Sequence, residues 1–219
     1  MRNQAFDANH FVLEVGTAIA TEFYGKRPVR RYHMGHSNGG RSGLISTQKY
    51  PKDYDGVVAM EPAIAQQAHQ VNLGPTVLRH IFKSRDNWMS PAKIALYAKA
   101  EIAASTSDWQ SYMFGTSFDA PDSFNHMAVT EAARLVEGNP NANILTHDPT
   151  QYQAQYARLA EMIDGTDPDI SAFADNGGKL LIWYGLGDTC VSLYRTADYF
   201  DTVKQRLGAS KVQGFAHMV

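Results

Sequence analysis

Residues Arg30 to Ala63 read RRYHMGHSNGGRSGLISTQKYPKDYDGVVAMEPA, and the fold follows from how this stretch is parsed. At its centre, Gly35-His36-Ser37-Asn38-Gly39 is a G-x-S-x-G. A serine nucleophile on a tight strand-to-helix turn needs small residues on both sides, because a side chain at either glycine would crowd the turn. Such a turn lifts the hydroxyl clear of the sheet. It also sets backbone N–H groups at a helix N-terminus, where a developing oxyanion is held. The flanks agree. Arg31 to Met34 predicts a short strand. Gly40 to Tyr50 predicts a helix, with Leu44, Ile45 and Gln48 on one side and Pro51 as its stop. Gly56-Val57-Val58-Ala59-Met60 is an apolar run of the kind a buried parallel strand shows. The competing account is a glycine-rich loop in which Ser37 only caps a helix.

Upstream of this stretch, Ala5 to Tyr24 predicts an amphipathic helix, with Phe11, Val15 and Ile19 at i, i+4 and i+8 and Gly25 closing it. Downstream, the clearest strand is Lys179-Leu180-Leu181-Ile182-Trp183-Tyr184, followed by Gly185-Leu186-Gly187-Asp188. An aspartate just past the C-terminal end of a buried strand is where a hydrolase puts its triad acid. The alternative for Asp188 is a turn residue capping the next helix. That helix is expected over Arg195 to Leu207, ended by Gly208, and Lys211 to Val219 is expected to start the last strand. Between the two halves, Ser90-Pro91 is a helix start, and Met127 to Val136 and Tyr152 to Ile163 are helical by spacing. The predicted class is α/β: a mostly parallel sheet from residues 1–63 and 171–219, with 64–170 an insertion that lids the site. Trp109, Tyr112, Phe114 and Phe118 would either line that site or form the insertion's own core.

Composition excludes other classes. The 219 residues are 44% hydrophobic and 19% charged, enough for one sizeable core. A net charge of −2 offers no basic field for nucleic acid. Cys190 is the single cysteine, so no intrachain disulfide forms. No apolar stretch is long enough to span a bilayer, and the opening MRNQAFDANH lacks an apolar signal core. The histidines include no H-x-x-x-H or H-x-H pair, so no metal or other cofactor is expected.

The run GHSNGGRSGLISTQKYPKDYDGVVAMEPA resembles the signature of the tannase and feruloyl esterase family. That signature is G-C-S-x-G-G-R-x-G, then Q-[RK]-Y-P-x-D-[FY]-D-G, then a strand ending in P-A. A second block, Asp164 to Phe173 followed by Gly177-Gly178-Lys179-Leu180, resembles the family's A-T-D-P-D-L-S-x-F…G-G-K-L, and FYGKRP before the elbow also fits. The resemblance implies an α/β-hydrolase fold and carboxylic ester hydrolysis through an acyl-enzyme. The expected partner is a small ester of an aromatic acid (galloyl, hydroxycinnamoyl or a terephthalate monoester), with no nucleic acid and no membrane. Ser37 would be the nucleophile, the Asn38 N–H an oxyanion donor, and Asp188 the acid that orients a histidine. A secreted or periplasmic location is implied in the same way. Oligomeric state is not legible.

The chain also departs from the family's pattern. The cysteine before the serine is replaced by His36, and its disulfide partner is absent. The family's catalytic histidine lies in a P-G-M-x-H-C loop after the last strand. Here only His217 follows Asp188, in GFAHMV, which resembles the strand before that loop. The strands that precede the elbow in such folds have no counterpart either. The sheet is therefore small or the chain is a piece of a longer protein. The alternative function is a truncated or non-catalytic relative that keeps the scaffold and binds phenolics. Where relatives carry a calcium loop, residues 104–108 hold one carboxylate, too few for a six- to eight-oxygen cage. EDTA is therefore expected to leave the melting temperature unchanged. A fall of several degrees, reversed by calcium, would contradict this.

Overall fold

A computed structural model describes residues 6–68, 73–100, 110–185, 188 and 191–219. Apart from a single turn at Arg79–Ile81 and short 3-10 and π segments, the helices in chain order are α1 (Ala8–Tyr24), α2 (Asn38–Lys49), α3 (Pro91–Ala100), α4 (Phe124–Glu137), α5 (Gln153–Ile163), α6 (Ser171–Asp175), α7 (Leu193–Leu207) and α8 (Ala209–Gln213). The strands are β1 (Tyr32–His36), β2 (Gly56–Met60), β3 (Lys179–Trp183) and β4 (Ala216–Met218). They form one parallel sheet in the order β1-β2-β3-β4. The class is α/β. Met1–Gln66 with Ala160–Val219 is one compact unit, and Gln67–Leu159 is another.

The first unit follows from alternation along the strands. Val57, Ala59, Leu180, Ile182 and Ala216 point to one face and pack with Leu44 of α2, Phe173 of α6, Phe200 and Val203 of α7 and Val212 of α8. The opposite face carries Tyr32, Met34, Leu181 and Trp183, all exposed. Residues 160–170, placed in the insertion by sequence, are tied to this unit. The Gly165 N–H donates to the Ile64 carbonyl at 2.9 Å, and Gln48 Nε2 donates to the Gly165 carbonyl at 2.9 Å.

Two local expectations need correction. The segment opening at Lys211 is not yet strand: α8 runs to Gln213, and β4 is only Ala216–Met218. Gly208, at φ 87°, turns the chain so that a further helical turn buries Val212. The apolar stripe of α1 is also not buried. Phe11, Val15 and Ile19 are exposed, and the helix docks through its polar side instead. His10 Nδ1 lies 2.9 Å from Asp53 Oδ2, the His10 ring stacks on Tyr50 at 4.3 Å, and the Tyr50 hydroxyl donates to Asp7 at 2.6 Å. Fixed polar partners on the C-terminal end of α2 and the turn after it set the orientation of α1. Among the described residues no helix is long and apolar enough to cross a membrane.

The second unit has its own core of Leu78, Val129, Ala133, Ala142 and Ile144. Beside it His147 is fully enclosed and bonded at both ring nitrogens. Nδ1 donates to Glu137 Oε1 at 2.6 Å, and Nε2 accepts from the Tyr156 hydroxyl at 2.9 Å. Burial pushes the Tyr156 pKa up to about 12. The hydroxyl therefore stays protonated as a donor, and the relay buries polar groups with their bonds made. Of the insertion's aromatics, Tyr112 packs on Phe124 and Phe118 on Phe82, while Trp109 lies outside the described residues.

The hydrogen bond that Asp53 accepts from the protonated ring raises the His10 pKa, against the opposing effect of partial burial. A histidine with a raised folded pKa contributes its full stability below its ordinary value of about 6.5, and loses it as pH rises through the raised one. Asp53→Asn should therefore lower the melting temperature at pH 5.5 by roughly 2–4 °C, the equivalent of about 1 kcal/mol in a chain of this size. The gap should narrow by pH 8.5. Equal losses at both pH values would show that the His10–Asp53 pair does not hold α1.

Candidate active site

The elbow is built as the sequence pattern requires, with one difference. β1 extends to His36, and α2 begins directly at Asn38, so Ser37 alone makes the turn. Its backbone sits at φ 56° and ψ −114°, a conformation side chains rarely adopt. Two neighbours hold it there. The Ser37 N–H donates to the Met60 carbonyl at 2.9 Å, and the Ser37 carbonyl accepts the Ala63 N–H at 3.1 Å. Gly35 must be glycine: a Cβ there would stand 2.4 Å from the Gly39 carbonyl carbon. Gly39 is different, because a Cβ on it would meet nothing within 4 Å. The crowding is one-sided, with the Gly39 backbone filling the space beside Gly35.

With its own N–H committed, Ser37 leaves donation at the elbow to the first turn of α2. Asn38 is the first residue of that helix, so its N–H has no intrahelical acceptor. Its side chain is fixed by Arg41, to which no local sequence signal gives a role. Arg41 is 6% exposed, and its Nε and Nη2 donate to Asn38 Oδ1 at 2.8 and 2.6 Å. Its Nη1 donates to the Ile163 carbonyl. Burial pushes the Arg41 pKa down, and the charge of Asp164 works against that. His33 supports the elbow from beneath, with Nε2 2.9 Å from the Gly39 carbonyl oxygen.

Ser37 and Asp188 both follow the C-terminal ends of their strands, β1 and β3, with β2 between. Asp188 is partly buried and makes a turn: Oδ1 accepts the Val191 N–H at 3.1 Å, and its own N–H donates to the Gly185 carbonyl at 3.3 Å. His217 is in β4, opposite Leu181, two residues short of the Trp183 level at which His36 and Met60 lie. Three strand spacings of about 4.8 Å put β4 about 14 Å from β1, beyond hydrogen-bond reach of Ser37.

Glu61 was not singled out in the sequence, yet it joins the ends of three strands. It sits just past β2 at φ 42°. One carboxylate oxygen is 2.6 Å from His36 Nε2, and the other accepts the Gly185 N–H at 3.0 Å. Its own N–H donates to the Trp183 carbonyl at 2.8 Å. A Cβ on Gly185 would stand 2.3 Å from Glu61 Oε1, so this approach depends on glycine. The only sequence signal was an acid next to Pro62 at the end of an apolar run. Among the described residues no cluster of three or more histidine, cysteine or acidic side chains is placed to hold a metal. Residues 104–108 and Cys190 fall outside them.

A family model described as tannase and feruloyl esterase matches residues 1–109 and 98–219. A probable feruloyl esterase B-1 of Aspergillus terreus is 24% identical over 283 aligned positions, covering 97% of this chain and 53% of that protein. The crystal structure of feruloyl esterase B from Aspergillus oryzae superposes with a TM-score of 0.68 at 20% identity, covering 98% of this chain and 56% of that one. The tannin acyl hydrolase of Aspergillus niger gives 0.67 at 14%, covering 98% and 55%. The chain spans about half the length of the curated relatives it matches.

The Glu61 clamp is testable through stability. Glu61→Ala and Gly185→Ala should each cost about 1–3 kcal/mol, the first by leaving the Gly185 N–H without its partner and the second by displacing the carboxylate. Because both break one contact, the double variant should lose clearly less than the sum. Additive losses in denaturant unfolding would mean that the two residues act separately.

Proposed function

Because this chain belongs to the tannase and feruloyl esterase family, we propose that it is a serine carboxylic ester hydrolase acting on esters of phenolic acids. The observation that carries the reading is Ser37 at φ 56° between β1 and α2. A serine held in that backbone has a structural cost of about 1–3 kcal/mol, and such cost gathers at functional positions. Relatives named feruloyl esterase and tannin acyl hydrolase supply the ester class.

In this mechanism Ser37 Oγ attacks the ester carbonyl carbon and gives up its proton to an imidazole. The oxyanion that forms is stabilised by the Asn38 N–H at the positive end of α2. Collapse expels the alcohol, which takes the proton back, and leaves the acyl group on Ser37. Water, deprotonated by the same imidazole, then releases the free acid. Asp188 orients that imidazole and stabilises its charged form. The position of His217 in β4 favours a second reading, in which these residues keep the scaffold and bind phenolics without turning them over.

A fluorophosphonate probe is expected to label Ser37 slowly, and Ser37→Ala should abolish the label. Turnover of methyl ferulate or p-nitrophenyl acetate by the 219-residue chain should stay far below about 1 s⁻¹, the low end for ordinary enzymes, because His217 lies in β4, out of reach of Ser37, and loss of a triad member costs most of the rate. Equal labelling of the alanine variant would overturn the nucleophile. Turnover near that rate, abolished by His217→Ala, would make His217 the base.

A further inference from the structure

The second unit contains a pocket of about 590 Å³, the size of a small-molecule site. Phe82 and Phe118 form its aromatic wall, with ring centroids 6.0 Å apart. His126, Thr130 and Arg134 also line it, at i, i+4 and i+8 on α4, and so form one polar stripe facing that wall's side of the helix. Each of the three keeps a buried polar atom with no hydrogen-bond partner among the described residues: His126 Nδ1, Thr130 Oγ1 and Arg134 Nε. Thr130 is 8% exposed, so bulk solvent meets it only through the pocket. One unsatisfied group is ordinary, but three on successive turns of one helix, all lining the same pocket, are not.

Charge narrows the ligand. Burial pushes the His126 pKa down, which leaves a neutral ring that both donates and accepts. The acid on the pocket wall, Asp119, is already paired with Arg85 at 2.6 Å. Among the described residues the Arg134 side chain is held by the exposed Glu131 alone, at 2.5 Å through Nη1. An exposed partner of this kind is readily exchanged for a ligand carboxylate, which an arginine can grip with two parallel bonds.

We propose that this pocket binds a phenolic acid in its ionised form, with the ring against Phe82 and Phe118, the carboxylate on Arg134 and the phenol oxygen toward Thr130 and His126. The ligand class rests on the ester hydrolase reading, since such an acid is what that hydrolysis releases. The site itself is built without Ser37, from residues of the second unit alone.

The test is a calorimetric titration of sodium ferulate into the Ser37→Ala chain, in which nothing can turn over. Saturable one-to-one binding is expected, as tight as in the unaltered chain. Arg134→Gln and Thr130→Val should each weaken it about tenfold. A comparison on the unaltered pocket avoids any doubt over folding of the variants: methyl ferulate, without the carboxylate, should bind about tenfold more weakly than ferulate, and Arg134→Gln should remove that difference. No saturation up to about 1 mM would overturn the proposal. So would binding indifferent to both variants, which would put the ferulate elsewhere, or equal binding of acid and ester. Failure of the nucleophile reading would show instead as absent probe labelling at Ser37 while ferulate still binds.

Discussion

The site depends on one backbone constraint: Ser37 must stay at positive φ although it has a side chain. Left alone, the turn would relax, because the conformation costs about 1–3 kcal/mol. It is held by two hydrogen bonds to the segment after β2, from Ser37 N–H to Met60 and from Ala63 N–H to Ser37. Sheet pairing β1 with β2 brings that segment alongside. The elbow is thus a product of the sheet, and α2 starts where it does because the elbow aims it there.

Glu61 extends the same logic to β3. Its carboxylate reaches His36 on one side and the Gly185 N–H on the other, so the chain leaving three adjacent strands is pinned at a single side chain. The tie from His36 runs to a carboxylate just past the neighbouring strand. A charged clamp of this kind fixes direction as well as distance, since the carboxylate needs donors on both sides. Asp188, three residues beyond Gly185, leaves the sheet from that pinned end.

The two units handle polar burial differently. In the first, Arg41 is enclosed but its guanidinium is occupied by Asn38 and Ile163. In the second, the Glu137–His147–Tyr156 relay is closed in the same manner, with every ring nitrogen used. The stripe of His126, Thr130 and Arg134 is not closed. That contrast within one small unit is the physical reason for reading the stripe as a ligand surface and the relay as structure.

Much was legible in the sequence because it is local. Glycine at 25 closes α1 in the left-handed conformation, Ser90-Pro91 opens α3, and the alternating or apolar runs at 56–60 and 179–183 became strands. The candidate nucleophile and acid were legible for the same reason, since each is marked by its immediate neighbours along the chain. Pairing across the sheet was not legible. Glu61, His33 and Arg41 act on partners brought close by strand register and helix packing, and no spacing in the sequence announces a partner 124 residues away, as Gly185 is from Glu61. The α1 stripe shows the opposite limit: its apolar spacing is correct for a buried face, but the His10–Asp53 contact and the hydrogen bond that Asp7 accepts from Tyr50 set how the helix lies. Periodicity determines which residues share a face. Only the tertiary structure decides what that face meets, because the decision belongs to groups distant in sequence that must satisfy one another in space.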